Sequence, residues 1–331
     1  MTNKIDRAVC AYAESLSAGE YLNLEENHII SNKKLTLTFR IDEFSEKDVV
    51  RLGHGETLFC SSYLELSKDE FTIYEYTSEA KALVNRKHGI TLRDFVSISI
   101  DVGYSTAKIT ILSGGGVYES EVIDRCWSGR NGMIFAVSKA SSIKDVSLRW
   151  WCSDFSKSIW LFGDSYFNPN SELRWTYYLI KNGYTGFLLS GYPGRNSTAA
   201  IKDFKQALKH GKPEYAVWCL GMNDEDAENC ISGSYLGAVE EFLRICKEEG
   251  ITPVLSTIPC VPERNHAYKN TWVKSQGLRY IDFARAVGGE YTGSSWNEGM
   301  LYSDNVHPDV LGAKALYAQF ITDFPEILSK E

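Results

Sequence analysis

Four short blocks in the last half of the chain carry residue types that can do chemistry together. They are Gly163-Asp164-Ser165-Tyr166, Ser190-Gly191-Tyr192-Pro193-Gly194-Arg195-Asn196, Gly221-Met222-Asn223-Asp224 and Asp304-Asn305-Val306-His307-Pro308. A serine hydroxyl is a weak nucleophile, so it needs a base within hydrogen-bond reach, and neutral imidazole is the base best matched to neutral pH. Of the six histidines, His307 alone is followed by proline and preceded by an acid three positions back. That spacing lets Asp304 meet one ring nitrogen while the other faces the serine. Attack on an ester carbonyl creates an oxyanion, and Asn223 is suited to donate to it. The glycines of the second block allow a backbone N–H to come close to a ligand. Taken singly, each block has a plain structural explanation: a turn tripeptide, a turn glycine, a strand-end cap, a histidine at a helix start. Their order along the chain, each at the end of an expected element, points to one site.

The elements that must position these blocks follow from hydrophobic rhythm. After about residue 155, short apolar stretches at Ser158–Phe162, Gly186–Ser190, Tyr215–Leu220, Pro253–Ile258 and Leu278–Ile281 alternate with helical patterns. The helix expected at Ser234–Glu249 sets Leu236, Val239, Leu243 and Cys246 on one stripe, with Gly250 as its stop. Such alternation builds a parallel sheet covered on both faces, and ligands gather beyond the carboxyl ends of its strands. Pro308 suits the first position of the helix after the histidine. From about 33 to 150 the period is two instead: Leu35, Leu37, Phe39 and Ile41 alternate with polar residues, as do Val96, Ile98, Ile100 and Val102. Phe71–Tyr76, Ala107–Leu112 and Val146–Trp150 extend the series, which predicts an all-β sandwich of jelly-roll or concanavalin-like type. Two domains are expected, at residues 1–155 and 156–331.

The combination of Gly-Asp-Ser, a glycine loop, Gly-x-Asn-Asp and Asp-x-x-His-Pro resembles the SGNH (GDSL) hydrolase family over about residues 156–325. The resemblance implies a three-layer α/β/α, flavodoxin-like domain with a five-stranded parallel sheet. It implies Ser165 as nucleophile, His307 as general base and Asp304 as the orienting carboxylate. The oxyanion would be held by the backbone N–H groups of Ser165 and Gly194 and by the Asn223 amide. Gly194 rather than Gly191 fits, because it directly precedes a short polar pair, Arg195-Asn196. One departure is that Tyr166-Phe167-Asn168 stands where many members carry a small residue and a further glycine, which bears on the shape of the pocket floor. Arg195 and Trp296, the latter in the polar loop ahead of Asp304, are the candidate substrate contacts. Trp127, Trp150 and Trp151 have faces suited to stacking on sugar rings, although such tryptophans more often fill cores.

An all-β half before an SGNH domain resembles the organisation of several bacterial carbohydrate esterases. The expected function is a serine esterase that removes short acyl groups, acetyl above all, from carbohydrates through an acyl-enzyme. The alternatives are a lipase-like or thioesterase-like enzyme and a glycan-binding protein with an inactive hydrolase domain.

Composition narrows the field further. The 331 residues are 44% hydrophobic and 24% charged, which suits a folded protein with sizeable cores. A net charge of −8 argues against nucleic acid as partner. No apolar run approaches the length of a membrane span, and Met1 to Glu20 lacks a signal-peptide core, so a cytoplasmic location is expected. No pair among the eight cysteines is closer than eleven positions, so no metal knuckle or redox pair is present in the sequence. Cys219 and Cys246 read as buried hydrophobes. No metal or cofactor is expected, and the expected partner is a small-molecule or oligosaccharide ester, with a homo-oligomer compatible with the composition.

Overall fold

In the computed structural model the described residues are 22–23, 33–41, 50–55, 61–76, 81–102, 107–114, 116–120, 133–137, 143–167, 171–191, 193–209, 211–224, 234–291 and 296–328. The chain divides into two compact units between Ser153 and Asp154. Trp127 and its glycine-rich turn lie outside the described residues.

The first unit is antiparallel β. Its strands are β1 (Leu22–Asn23), β2 (Lys33–Ile41), β3 (Val50–Gly55), β4 (Ser61–Leu66), β5 (Glu70–Tyr76), β6 (Lys81–His88), β7 (Asp94–Val102), β8 (Ala107–Ser113), β9 (Gly116–Glu119), β10 (Met133–Val137) and β11 (Ile143–Cys152). One sheet runs β1-β10-β3-β4-β5-β6 and the other β11-β2-β7-β8-β9. The alternation that marks these strands becomes one buried face per sheet: Phe39, Val96, Ile98, Ile100, Ile109 and Ile111 in one, Leu64, Leu66, Phe71 and Ile73 in the other. Trp150 and Trp151 belong to β11, in register with Leu35 and Lys34 of β2.

The second unit is a parallel α/β domain. Its strands are β12 (Ile159–Gly163), β13 (Phe187–Gly191), β14 (Tyr215–Cys219), β15 (Thr252–Ser256) and β16 (Tyr280–Ile281), in the spatial order β13-β12-β14-β15-β16 with every pair parallel. The helices are α1 (Trp175–Lys181), α2 (Ser197–Ala207), α3 (Ser234–Glu249), α4 (Ala267–Ser275), α5 (Phe283–Val287) and α6 (Val310–Asp323). Helix α2 packs on α3, while α1 and α5 pack on α6.

Central strands buried on both faces must be apolar throughout, and β12 and β13 are buried at all five positions. Alternate residues of β12 then serve opposite layers. Trp160 and Phe162 join Phe204 of α2, and Phe162 also meets Trp218, which packs on Phe242 of α3. On the other layer Phe167, Trp175, Phe283 and Phe320 form a second aromatic cluster. Helix α3 ends where its sequence stops: Gly250 turns left-handed at φ +65°, and the Ile251 N–H returns to the Cys246 carbonyl at 2.8 Å.

The chain leaves β12 toward β13 and then crosses back to β14 on the other side. This reversal opens a crevice beyond the carboxyl ends of β12 and β14, the place where such sheets bind ligands. The first three blocks follow β12, β13 and β14, and the fourth lies in the loop before α6.

Candidate active site

Ser165 opens a single 3-10 turn, Ser165–Phe167, directly beyond β12. The turn forms because Asp164 caps it: its carboxylate accepts from the Tyr166 N–H at 3.1 Å and its carbonyl from the Phe167 N–H at 3.1 Å. Gly163 is required, since a Cβ there would sit 2.1 Å from the Phe167 ring. Arg174, just before α1, donates from Nε to the Ser165 carbonyl at 2.8 Å and holds the turn from outside.

The fourth block is a closed loop. Tyr302 N–H bonds the His307 carbonyl at 2.8 Å, Asp309 N–H bonds the Met300 carbonyl at 2.8 Å, and Leu301 bridges Pro308. Asn305 takes the left-handed conformation at φ +59° that lets the loop turn back, which asparagine tolerates. One Asp304 oxygen accepts from the backbone N–H groups of Val306 and His307, each at 2.9 Å; the other meets His307 Nδ1 at 2.7 Å. Burial raises the Asp304 carboxyl, but the N–H groups and ring of His307 and the Val306 N–H outweigh it and hold the group at about 2. An ionised carboxylate only accepts, so Nδ1 carries the proton and Nε2 presents its lone pair. Ser165 Oγ lies 2.8 Å from Nε2. The three residues thus form a continuous hydrogen-bonded chain from hydroxyl to imidazole to carboxylate.

Tyr166, the departure noted in the sequence, ties the two loops together. Its hydroxyl donates to the Val306 carbonyl at 2.6 Å, and its ring lies 5.8 Å from that of His307. Burial, then the Asp164 carboxylate, push its phenol well above the usual range, so it stays a donor. Tyr166 stood out in the sequence only as a departure, and Arg174 is marked by no motif.

The second and third blocks are stitched to each other. Asn223 Nδ2 donates to the Arg195 carbonyl at 3.2 Å, and the Ser197 N–H and hydroxyl both donate to Asp224 at 2.9 Å. Asn196 caps α2 by accepting from the Ala199 N–H at 2.9 Å. Gly194, left-handed at φ +74°, is exposed beside this junction. The Gly194 backbone and the Asn223 amide are therefore carried on adjacent, mutually fastened loops.

Two expected substrate contacts are corrected. Arg195 is 1% exposed: its guanidinium donates to the Ser190 carbonyl and hydroxyl at 2.8 and 3.1 Å, pairs with Asp203, and lies over the Phe162 ring. It fastens the β13 loop from inside, its buried charge paired with Asp203. Trp296 is 5% exposed and donates its indole N–H to the Cys260 carbonyl at 2.8 Å, so its ring packs the interior instead of walling a pocket. A third correction concerns Pro308: α6 begins at Val310 with Asp309 as its cap, and Pro308 precedes that cap, held in the bridge to Leu301.

Cys219, Cys246 and Cys260 are buried, and burial pushes the Cys246 thiol up to about 12. Among the described residues, no group of three histidine, cysteine or acidic side chains is placed to hold a metal. Among them, no helix is long and apolar enough to cross a membrane.

Asp164 is the other titrating group of the site. Burial pushes its carboxyl up to about 7, Asp224 adding to the rise and the Tyr166 N–H, Arg195 and Arg174 opposing it. The folded chain therefore holds a proton that the unfolded chain releases near 4, so stability is full below about pH 4 and is lost as pH rises through about 7. The full penalty is on the order of 4 kcal/mol. Asp164→Asn keeps an oxygen for the Tyr166 N–H and removes the charge. Its melting temperature is expected to exceed that of wild type at pH 8 but not at pH 5; parallel melting curves across that range would show that Asp164 does not titrate there.

No protein-family model matches the chain, and no curated protein matches it. Among solved structures it is similar to a GDSL-like lipase from Bacteroides thetaiotaomicron, at 19% identity over 51% of this chain and 87% of that one, with a TM-score of 0.40. It is similar to the lipase/acylhydrolase from Enterococcus faecalis at 20% identity over 51% and 96%, with a TM-score of 0.39. It is also similar to the psychrotrophic esterase EstA from Pseudoalteromonas sp. at 13% identity over 52% and 98%, with a TM-score of 0.39.

Proposed function

We propose that the Asp154–Glu331 unit is a serine esterase of the SGNH type. The observation that carries this reading is the Ser165–His307–Asp304 array, with contacts of 2.8 and 2.7 Å that join the turn after β12 to the loop before α6. His307 takes the Ser165 proton as the hydroxyl attacks the ester carbonyl, and Asp304 stabilises the imidazolium that forms. The oxyanion is held by Asn223 Nδ2 with the backbone N–H groups of Gly194 and Ser165. Collapse releases the alcohol, protonated by His307, and leaves an acyl-serine. Water, deprotonated by the same imidazole, then hydrolyses the acyl-enzyme.

The substrate proposed is a short acyl ester, acetyl above all, carried on a carbohydrate. An antiparallel β unit ahead of the hydrolase unit in the sequence, an organisation that resembles that of several carbohydrate esterases, supports this reading. Kinetics on acetylated sugars and on p-nitrophenyl esters of two to twelve carbons test it. We expect kcat/KM to fall at least about tenfold from the acetyl to the octanoyl ester, with deacetylation of sugars detectable. A rise with chain length, or indifference to every sugar acetate, would favour a lipase-like or thioesterase-like substrate.

A further inference from the structure

We infer that Arg264 is the positioning residue of the oxyanion site, the outer half of a two-cation clamp that makes Asn223 present its N–H end to the reacting carbonyl. The inference rests on the esterase reading above.

A carboxamide has a donor end and an acceptor end of almost equal shape, and only the donor end stabilises an oxyanion; reversed, its oxygen would repel the charge. Something must therefore distinguish the two ends of Asn223. Arg264, in the loop after β15, donates from one guanidinium nitrogen to the Met222 carbonyl at 3.0 Å and to Asn223 Oδ1 at 3.4 Å. A guanidinium has no acceptor, so only the oxygen end of Asn223 can face it. On the other end, one Nδ2 hydrogen goes to the Arg195 carbonyl at 3.2 Å, which leaves the second for a ligand. The cation beside the amide oxygen also polarises the group and strengthens that remaining donor.

The turn beneath is held by a second cation from the same segment. Lys269 of α4 is fully buried, and its ammonium donates to the Gly221 carbonyl at 2.9 Å, to the Asp224 carbonyl at 3.2 Å and to His266 Nδ1 at 3.2 Å. Burial, then the charges of Lys269 and Arg264, push the His266 imidazole down to about 3, which keeps it a neutral acceptor for that ammonium. The carbonyls of Gly221, Met222 and Asp224 and the side-chain oxygen of Asn223 are thus all gripped by cations of residues 264–269. Gly221 itself sits at φ +124°, where a Cβ would come within 2.4 Å of Ile258 Cδ1, so the turn has no freedom on its inner side either. Lys269 fixes where the turn lies; Arg264 fixes which way its amide points.

The test is a double-mutant cycle on p-nitrophenyl acetate with Arg264→Ala, Asn223→Ala and the pair, alongside Arg264→Lys, with thermal melts to confirm folding. We expect Arg264→Ala to lower kcat about ten- to a hundredfold with KM within about twofold, because the donor acts only on transition-state charge. In the Asn223→Ala background the same change should cost no further activity, since the group it orients is gone. Arg264→Lys should keep an intermediate kcat, because an ammonium still donates without accepting. Losses that add in the double variant, or an effect confined to KM, would overturn the clamp and leave the esterase reading intact. An Asn223→Ala enzyme with unchanged kcat would overturn the oxyanion role itself, and the clamp with it.

Discussion

Ser165→Ala is expected to lose about 10⁵-fold or more in kcat on any ester the enzyme hydrolyses, because the members of a coupled triad fail together when one is removed. The same variant should fold as wild type. Ser165 Oγ bonds His307 Nε2 at the mouth of the site, and the imidazole it leaves is itself part-exposed, so no polar atom is stranded in the core. A stability change within about 1 kcal/mol is expected. The variant therefore separates chemistry from folding. Thermal melts and turnover measured on one preparation check it, and near wild-type turnover would remove the serine from the mechanism.

The second large effect lies at Asn223. In the proposed mechanism its amide is aimed at charge that develops only in the transition state, so truncation to alanine should lower kcat about 10² to 10³-fold while KM moves little. A sharper comparison is Asn223→Asp. A carboxylate there suits the Arg264 guanidinium at least as well as the native amide does but gives up the donor to the Arg195 carbonyl, so thermal melts accompany the kinetics. It offers the oxyanion a negative charge in place of a donor, so kcat should fall at least as far as in the alanine variant. If the aspartate variant kept most of the activity, Asn223 would be a substrate contact or a strut. Steady-state kinetics of the three proteins at one pH decide between these roles.

Part of this geometry was legible because the groups involved sit in short local patterns. Asp304 and His307 are three positions apart and need only one turn of loop to meet, and the strands that present Ser165 and Asn223 are short apolar runs that a buried parallel sheet demands. The end of helix α3 was equally readable from its following glycine, but its face was only half read: Val239 and Cys246 are buried, whereas Leu236 and Leu243 are half-buried and Tyr235, Phe242 and Ile245 complete the core side.

What escaped the sequence is what depends on burial. Arg195 and Trp296 sit in polar stretches that suggest exposure, yet Asp203 and the Ser190 carbonyl supply the buried guanidinium with partners, and the Cys260 carbonyl does so for the indole. Arg174 and Arg264 look like ordinary surface charges until the fold brings the Ser165 and Met222 carbonyls to them. In the β unit, Lys81–His88 shows little alternation, and among the described residues β6 is ordered by its pairing with β5.

The central claim, that Ser165 is a nucleophile activated by His307, is tested most directly by an active-site-directed fluorophosphonate followed by intact mass and peptide mapping. Such a reagent forms a stable ester with a serine only where a base removes the hydroxyl proton as the bond to phosphorus forms and fluoride leaves. The account predicts one adduct per chain, on Ser165, appearing in step with the loss of esterase activity and absent from His307→Ala. Adduct formation on a different serine, or full inactivation with Ser165 unmodified, would contradict it.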